Sequence, residues 1–128
     1  MAPVLVVDDS AEAREAVRAL LELDGYPVTE AADGREALEM LVGDCRNQPC
    51  LIVLDLEMPL MTGWELLSVL QTYHRLAAIP VLVVSAYDRG SVPQTASLAG
   101  YFQKPYAARQ LLRKVRECAR RVGSQPPG

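Results

Sequence analysis

Five side chains stand where apolar runs end. Asp8 and Asp9 close Val4-Leu5-Val6-Val7, Asp55 closes Leu51-Ile52-Val53-Leu54, Ser85 closes Val81-Leu82-Val83-Val84, and Lys104 follows Tyr101-Phe102-Gln103. A carboxylate at the end of a buried strand is badly solvated unless something uses or neutralises it. Three of them on one pocket repel one another, and a hard divalent cation relieves that repulsion. Magnesium takes one or two carboxylates, a carbonyl and several waters. A lysine adds positive charge and a serine adds a donor, so metal, ammonium and hydroxyl together suit the oxygens of a phosphoryl group. A carboxylate among them can act as nucleophile and carry that group covalently. The chain holds no Gly-x-x-x-x-Gly-Lys and no Gly-x-Gly-x-x-Gly. The phosphoryl donor is therefore expected to be something other than a nucleotide in such a loop.

The elements that must position these groups read as strands alternating with helices. The runs at Pro3–Val7, Leu51–Leu54 and Ile79–Val84 are rich in β-branched residues and short, as strands buried on both faces are. Tyr26–Ala31 is a weaker strand whose proline suits a sheet edge, and Tyr101–Gln103 is a short fifth. After Ser10 or Asp9 as cap, Ala13, Ala16, Val17, Leu20 and Leu21 share one helix face, with Arg14, Glu15, Arg18 and Glu22 opposite. Arg35–Leu41 forms a second helix with Ala37, Leu38 and Leu41 inward. Thr62-Gly63-Trp64-Glu65 reads as a capping box opening a third helix that runs to about Tyr73. From Ala86 to Gly100 the pattern loosens around Gly90 and Pro93, leaving room for a short helix within Gln94–Leu98. The last helix runs from about Ala107 to Val122, with Leu111, Leu112, Val115, Cys118 and Ala119 inward. Five strand–helix units give an α/β fold, a parallel sheet with helices on both faces. Ligands bind such sheets beyond their carboxyl edges, which is where all five groups fall.

Length and composition bound the rest. At 128 residues, half of them apolar, the chain is one domain large enough for a core of its own. No apolar run could span a bilayer, and Met1-Ala2-Pro3 leads into a strand without the regions of a signal peptide. Cys45, Cys50 and Cys118 lack metal-ligand spacing and read as thiols of a reducing compartment, so the expected location is cytoplasmic, with no membrane partner. Net charge is −3; residues 107–128 carry six basic side chains and one acid, against seven and fifteen in the remainder. A basic helix on an acidic body is a solvated face rather than a nucleic-acid surface, so none is expected as partner. His74 reads as a loop residue without a role, and Trp64 as helix packing.

Taken together, Asp8-Asp9, Asp55, Met58-Pro59 with Gly63, Ser85-Ala86 and Lys104-Pro105 make the chain resemble a response-regulator receiver domain of two-component signalling. The resemblance covers residues 3 to 122. It implies a doubly wound five-stranded sheet of flavodoxin-like order 2-1-3-4-5, with residues 1–122 as the receiver and 123–128 as a tail or the start of a linker. It further implies that Asp55 is the phosphoacceptor, that Asp9, Asp55 and the Glu57 backbone carbonyl ligate Mg2+, and that Asp8 assists through water. Ser85 and Lys104 would hold the phosphoryl group, and Lys104–Pro105 would be a cis peptide. Tyr101 falls at the family's switch position, beside Ser85 as the other switch residue. Glu57 and Tyr87 fall where the family tunes the lifetime of the phosphoryl group. A histidine kinase or phosphotransfer protein would be the donor, and a downstream protein or output domain the reader. Such a chain is a regulatory phosphoacceptor rather than an enzyme, limited to self-phosphorylation from small donors and slow self-dephosphorylation.

Two departures from the family pattern carry expectations. Thr62 stands where the family often has aspartate, and it caps equally well. The Ser85-to-Lys104 interval is about one helical turn shorter than usual, which predicts a short or irregular fourth helix. Two other readings compete: a receiver-like interaction module that works without phosphorylation, and a metal-dependent phosphohydrolase. Against the latter, the residue two after Asp55 is Glu57, with no further acidic metal motif behind it.

Overall fold

A computed structural model describes residues 2–43, 48–56, 62–85, 98–104 and 106–124, with residues 120–124 described as backbone. Its order is β1 (Val4–Val7), α1 (Ala11–Leu23), β2 (Val28–Ala31), α2 (Gly34–Gly43), β3 (Leu51–Asp55), α3 (Gly63–Thr72), α4 (His74–Ala77), β4 (Val81–Ser85), β5 (Leu98–Gln103) and α5 (Ala108–Ser124). The strands form one parallel sheet in the order β2-β1-β3-β4-β5. β1, β3 and β4 are buried along their whole length, so continuous apolar runs are what the interior of this sheet requires. Pro27 precedes β2 at one edge, as expected.

Alternate residues of each strand feed two cores. Leu5, Val7, Ile52, Leu54, Val81 and Val83 pack with Ala37, Leu41, Leu66, Leu67, Leu70 and Leu76 from α2, α3 and α4. Val4, Val6, Leu51, Val53, Leu82 and Val84 pack on the other face with Val17, Leu21, Leu111, Val115 and Cys118 from α1 and α5. Cys50 and Cys118 are buried and form no disulfide; Cys45 lies outside the described residues. No described helix is long and apolar enough to cross a membrane.

Register fixes the site. Val7 pairs with Leu54, which puts Asp8 level with Asp55 on the neighbouring strand. Asp55 pairs with Val84 and Ser85 with Gln103, which brings Ser85 and Lys104 to the same edge. The sheet order reverses between β1 and β3, so Asp8 and Asp55 flank the crevice where ligands of such folds bind.

Several local expectations are corrected. Ala16 is exposed, while Arg14 and Arg18, placed on the outer face, are half-buried against β2, where both pair with Glu30. His74 opens a single helical turn instead of lying in a loop; the turn closes because Leu76 drops fully into the core. β5 starts at Leu98, not Tyr101, and Leu98 pairs with Val81. An irregularity between Val81 and Leu82 inserts Ala99, and the inserted residue breaks the period-two signal that marks a strand. Leu98 is thus strand rather than the end of a helix. α5 continues to Ser124, past the expected boundary at Val122. The expected short or irregular fourth helix falls within residues 86–97, outside the described residues.

Candidate functional site at the carboxyl edge of the sheet

Asp8 is fixed at three points. Its amide donates to the Ala31 carbonyl of β2 at 3.2 Å, its Oδ1 accepts from the Ser10 amide at 2.9 Å, and its carbonyl accepts from Arg14 Nη1 at 2.7 Å. The first two follow from sequence: a strand end beside its edge neighbour, then a turn into a helix capped by Ser10 Oγ, which accepts from the Ala13 amide. Asp9, the next residue, is exposed.

Asp55 is 3% exposed at the end of β3. The chain leaving it is held by α3, whose Gly63 amide donates to the Leu56 carbonyl at 3.1 Å. A Cβ at Gly63 would lie 2.6 Å from both the Asp55 carbonyl oxygen and the Leu56 Cα, so only glycine lets the helix come this close. Thr62 and Glu65 make both hydrogen bonds of the capping box, which bears out threonine as an adequate cap. Trp64 packs partly buried against the adjoining core.

Asp8, Asp9 and Asp55 each offer a carboxylate oxygen within 4.8 Å of the others. Lys104 Nζ lies 3.6 Å from Asp55 Oδ2 and 3.9 Å from Asp8 Oδ2. These separations exceed a direct charge-assisted hydrogen bond, so the ammonium faces both carboxylates without closing on either. Its backbone is anchored, because the Lys104 amide donates to the Ser85 carbonyl at 2.7 Å. Ser85 itself is fully buried. Three carboxyl groups and one ammonium leave a formal surplus of negative charge. An all-oxygen donor set of this kind fits a hard cation such as Mg2+.

Tyr101 is half-buried against the α2–α3 core, and its hydroxyl is buried with no hydrogen-bond partner among the described residues. Glu57, Tyr87 and Pro105 lie outside the described residues. Sequence reasoning passed over Tyr106. Burial pushes its phenol up from the ordinary value; Lys104 pulls the other way, and Asp8 and Asp55 add to the rise. The ring therefore stands within the field of the site, tilted against Phe102 with centroids 6.0 Å apart. An aromatic two residues after Lys104 was the available signal.

Residues 4–116 match the sequence family described as response regulator receiver domain. Among curated proteins, the chain is 38% identical over 122 residues to the response regulator MprA of Mycolicibacterium vanbaalenii, covering 93% of this chain and 51% of that one. MprA of Mycobacterium ulcerans is 39% identical, with 93% and 50% covered. The chain thus spans about half the length of the curated relatives it matches. Among solved structures, the chemotaxis protein CheY4 of Vibrio cholerae superimposes with a TM-score of 0.76 at 31% identity, covering 92% of this chain and 98% of that one. The response regulator TrrA of Thermotoga maritima, solved in complex with Mg(2+)-BeF, gives 0.79 at 28%, covering 92% and 99%. The receiver domain of a Syntrophus aciditrophicus histidine kinase gives 0.85 at 25%, covering 100% and 97%.

Proposed function

This chain belongs to the response-regulator receiver domains of two-component systems, and on that footing we propose that it is a phosphorylation switch whose acceptor is Asp55. The observation that carries the proposal is the buried Asp55 carboxylate, set beside two further carboxylates and facing Lys104. The donor is a histidine kinase or phosphotransfer protein presenting a phosphohistidine. An Asp55 oxygen attacks phosphorus, the P–N bond breaks with its electron pair returning to the imidazole, and an acyl phosphate forms on Asp55. Asp9, Asp55 and the Glu57 carbonyl would hold the metal, with Asp8 acting through water. A bound Mg2+ supplies charge neutralisation at the incoming phosphoryl oxygens. Lys104 and the Ser85 hydroxyl take the oxygens that remain, and Ser85 with Tyr101 passes the change to the neighbouring surface. Glu57 and Tyr87 set how long the acyl phosphate lasts.

The phosphorylated state is read by a downstream protein or an output domain, with the residues after α5 as tail or linker. The TrrA complex, which pairs Mg2+ with a beryllofluoride on the same fold, supports the cofactor reading. Acetyl phosphate with Mg2+ tests the proposal directly. Wild type should gain one phosphoryl mass, whereas Asp55→Asn should gain none, and chelation should abolish the gain. An equal adduct on Asp55→Asn would remove Asp55 from the role.

A further inference from the structure

Arg14 touches two elements at once. On α1, one turn into the helix, its Nη1 donates to the Asp8 carbonyl at 2.7 Å and its Nε pairs with Glu30 Oε1 of β2 at 3.1 Å. Glu30 is also held by Arg18, which reaches its other carboxylate oxygen. The Arg18 hydrogen bond first, and then that of Arg14, keeps the Glu30 carboxyl below its ordinary range, although desolvation opposes both. Arg14 is only 18% exposed, so this contact is screened less than a surface pair. The carbonyl it grips belongs to the peptide that joins Asp8 to Asp9. That peptide sits at the end of β1, where the ladder that fixed Val7 stops, and where Asp9 is exposed. The Asp8 amide and Oδ1 are already satisfied by Ala31 and Ser10. The carbonyl is the atom that sets the plane of the following peptide, and with it the point from which the Asp9 side chain departs.

We propose that Arg14 is a positioning residue for the metal ligands: it locks the Asp8–Asp9 peptide, with Glu30 bracing the guanidinium from the sheet edge. A guanidinium is suited to this, because its planar fork donates to carbonyl and carboxylate together, whereas an ammonium on a flexible stem holds one geometry less well. The inference rests on the proposed phosphoacceptor site, and it extends that site to a residue that touches neither metal nor phosphoryl group.

The test is a calorimetric Mg2+ titration of wild type, Arg14→Gln, Arg14→Lys and Arg18→Gln, with amide spectra of the metal-free proteins. Arg18 shares Glu30 with Arg14, whereas the bond to the Asp8 carbonyl comes from Arg14, so Arg18→Gln loosens the same network without releasing the peptide. Arg14→Gln is expected to weaken Mg2+ binding about tenfold, the scale on which loss of an outer partner lowers metal affinity. Arg14→Lys should fall between it and wild type, and Arg18→Gln should stay within about twofold. The Asp9 amide resonance should move in metal-free Arg14→Gln and hold in Arg18→Gln. If Arg14→Gln fails to fold, Arg14→Lys carries the comparison, and its binding Mg2+ as tightly as wild type overturns the inference. Wild-type affinity in Arg14→Gln, or equal losses in Arg14→Gln and Arg18→Gln, also overturns it. A wild type that binds no Mg2+ instead removes the phosphoacceptor reading beneath it.

Discussion

At Asp55, the burial that would make a lone carboxylate costly is offset by an ion pair with Lys104 at 3.6 Å, longer than a direct hydrogen bond. The gap matters, since a carboxylate locked in a bidentate pair would be a poor nucleophile. Asp8, Asp9, Asp55, Ser85 and Lys104 were legible from the sequence because each stands at the end of a strand-like run. Tyr106 was not, because nothing in the chain says which way an aromatic after a strand will turn. Here it turns against Phe102, into the field of the acids. Because burial is the leading cause of its raised value, Tyr106 should remain a phenol past pH 10, where an exposed tyrosine is half ionised. Ultraviolet difference titration of wild type against Tyr106→Phe should show one late ionisation missing from the variant. A raised value means the buried phenol favours the fold below pH 10 and that this contribution is lost as pH climbs through the folded value.

Among the elements, α3 bears most directly on the nucleophile. Its first turn is capped by Thr62 and Glu65, and Gly63 lets it rest against the Asp55–Leu56 backbone. Gly63→Ala would put a methyl group 2.6 Å from two backbone atoms that have no flexible end to move away. Overpacking of this kind costs about 1–3 kcal/mol, and here the displacement falls on Asp55 itself. Gly63→Ala should therefore unfold at lower urea concentration and also take up acetyl phosphate more slowly at saturating Mg2+. A change in stability alone would mean the helix, not the loop, absorbs the strain. The capping box was readable because its hydrogen bonds are local. That Arg14 and Arg18 lean toward β2 could not be read, since a helical wheel assigns charged residues to solvent and knows nothing of Glu30 on another element. The first residues of β5 are hidden in the sequence for a related reason, as Ala99 interrupts the alternation by which strands are recognised.

For the whole molecule, the site is a place where like charges are held together by the fold. The sheet brings Asp8, Asp9 and Asp55 within 4.8 Å, and the part of their mutual repulsion that Lys104 leaves uncompensated opposes folding. Mg2+ should therefore raise the unfolding temperature of wild type, with stabilisation approaching about 2.7 kcal/mol at a hundred times the dissociation constant. Asp55→Asn should be more stable than wild type without metal and should respond much less to Mg2+, a pattern that thermal scans with and without chelator would display. The sequence by itself determined the strand–helix alternation, the two-faced burial of β1, β3 and β4, and the residues that end them. Those are consequences of hydrophobic period and of chain order, both local. Only the tertiary structure decided which of those ends are neighbours. The register Val7 to Leu54 and Asp55 to Val84 sets the acids level with each other. Arg14 meets Glu30, 16 residues further along the chain, only because α1 packs beside β2. Separations of this kind depend on how two elements far apart in the chain pack, a property of the shared core and not of either segment.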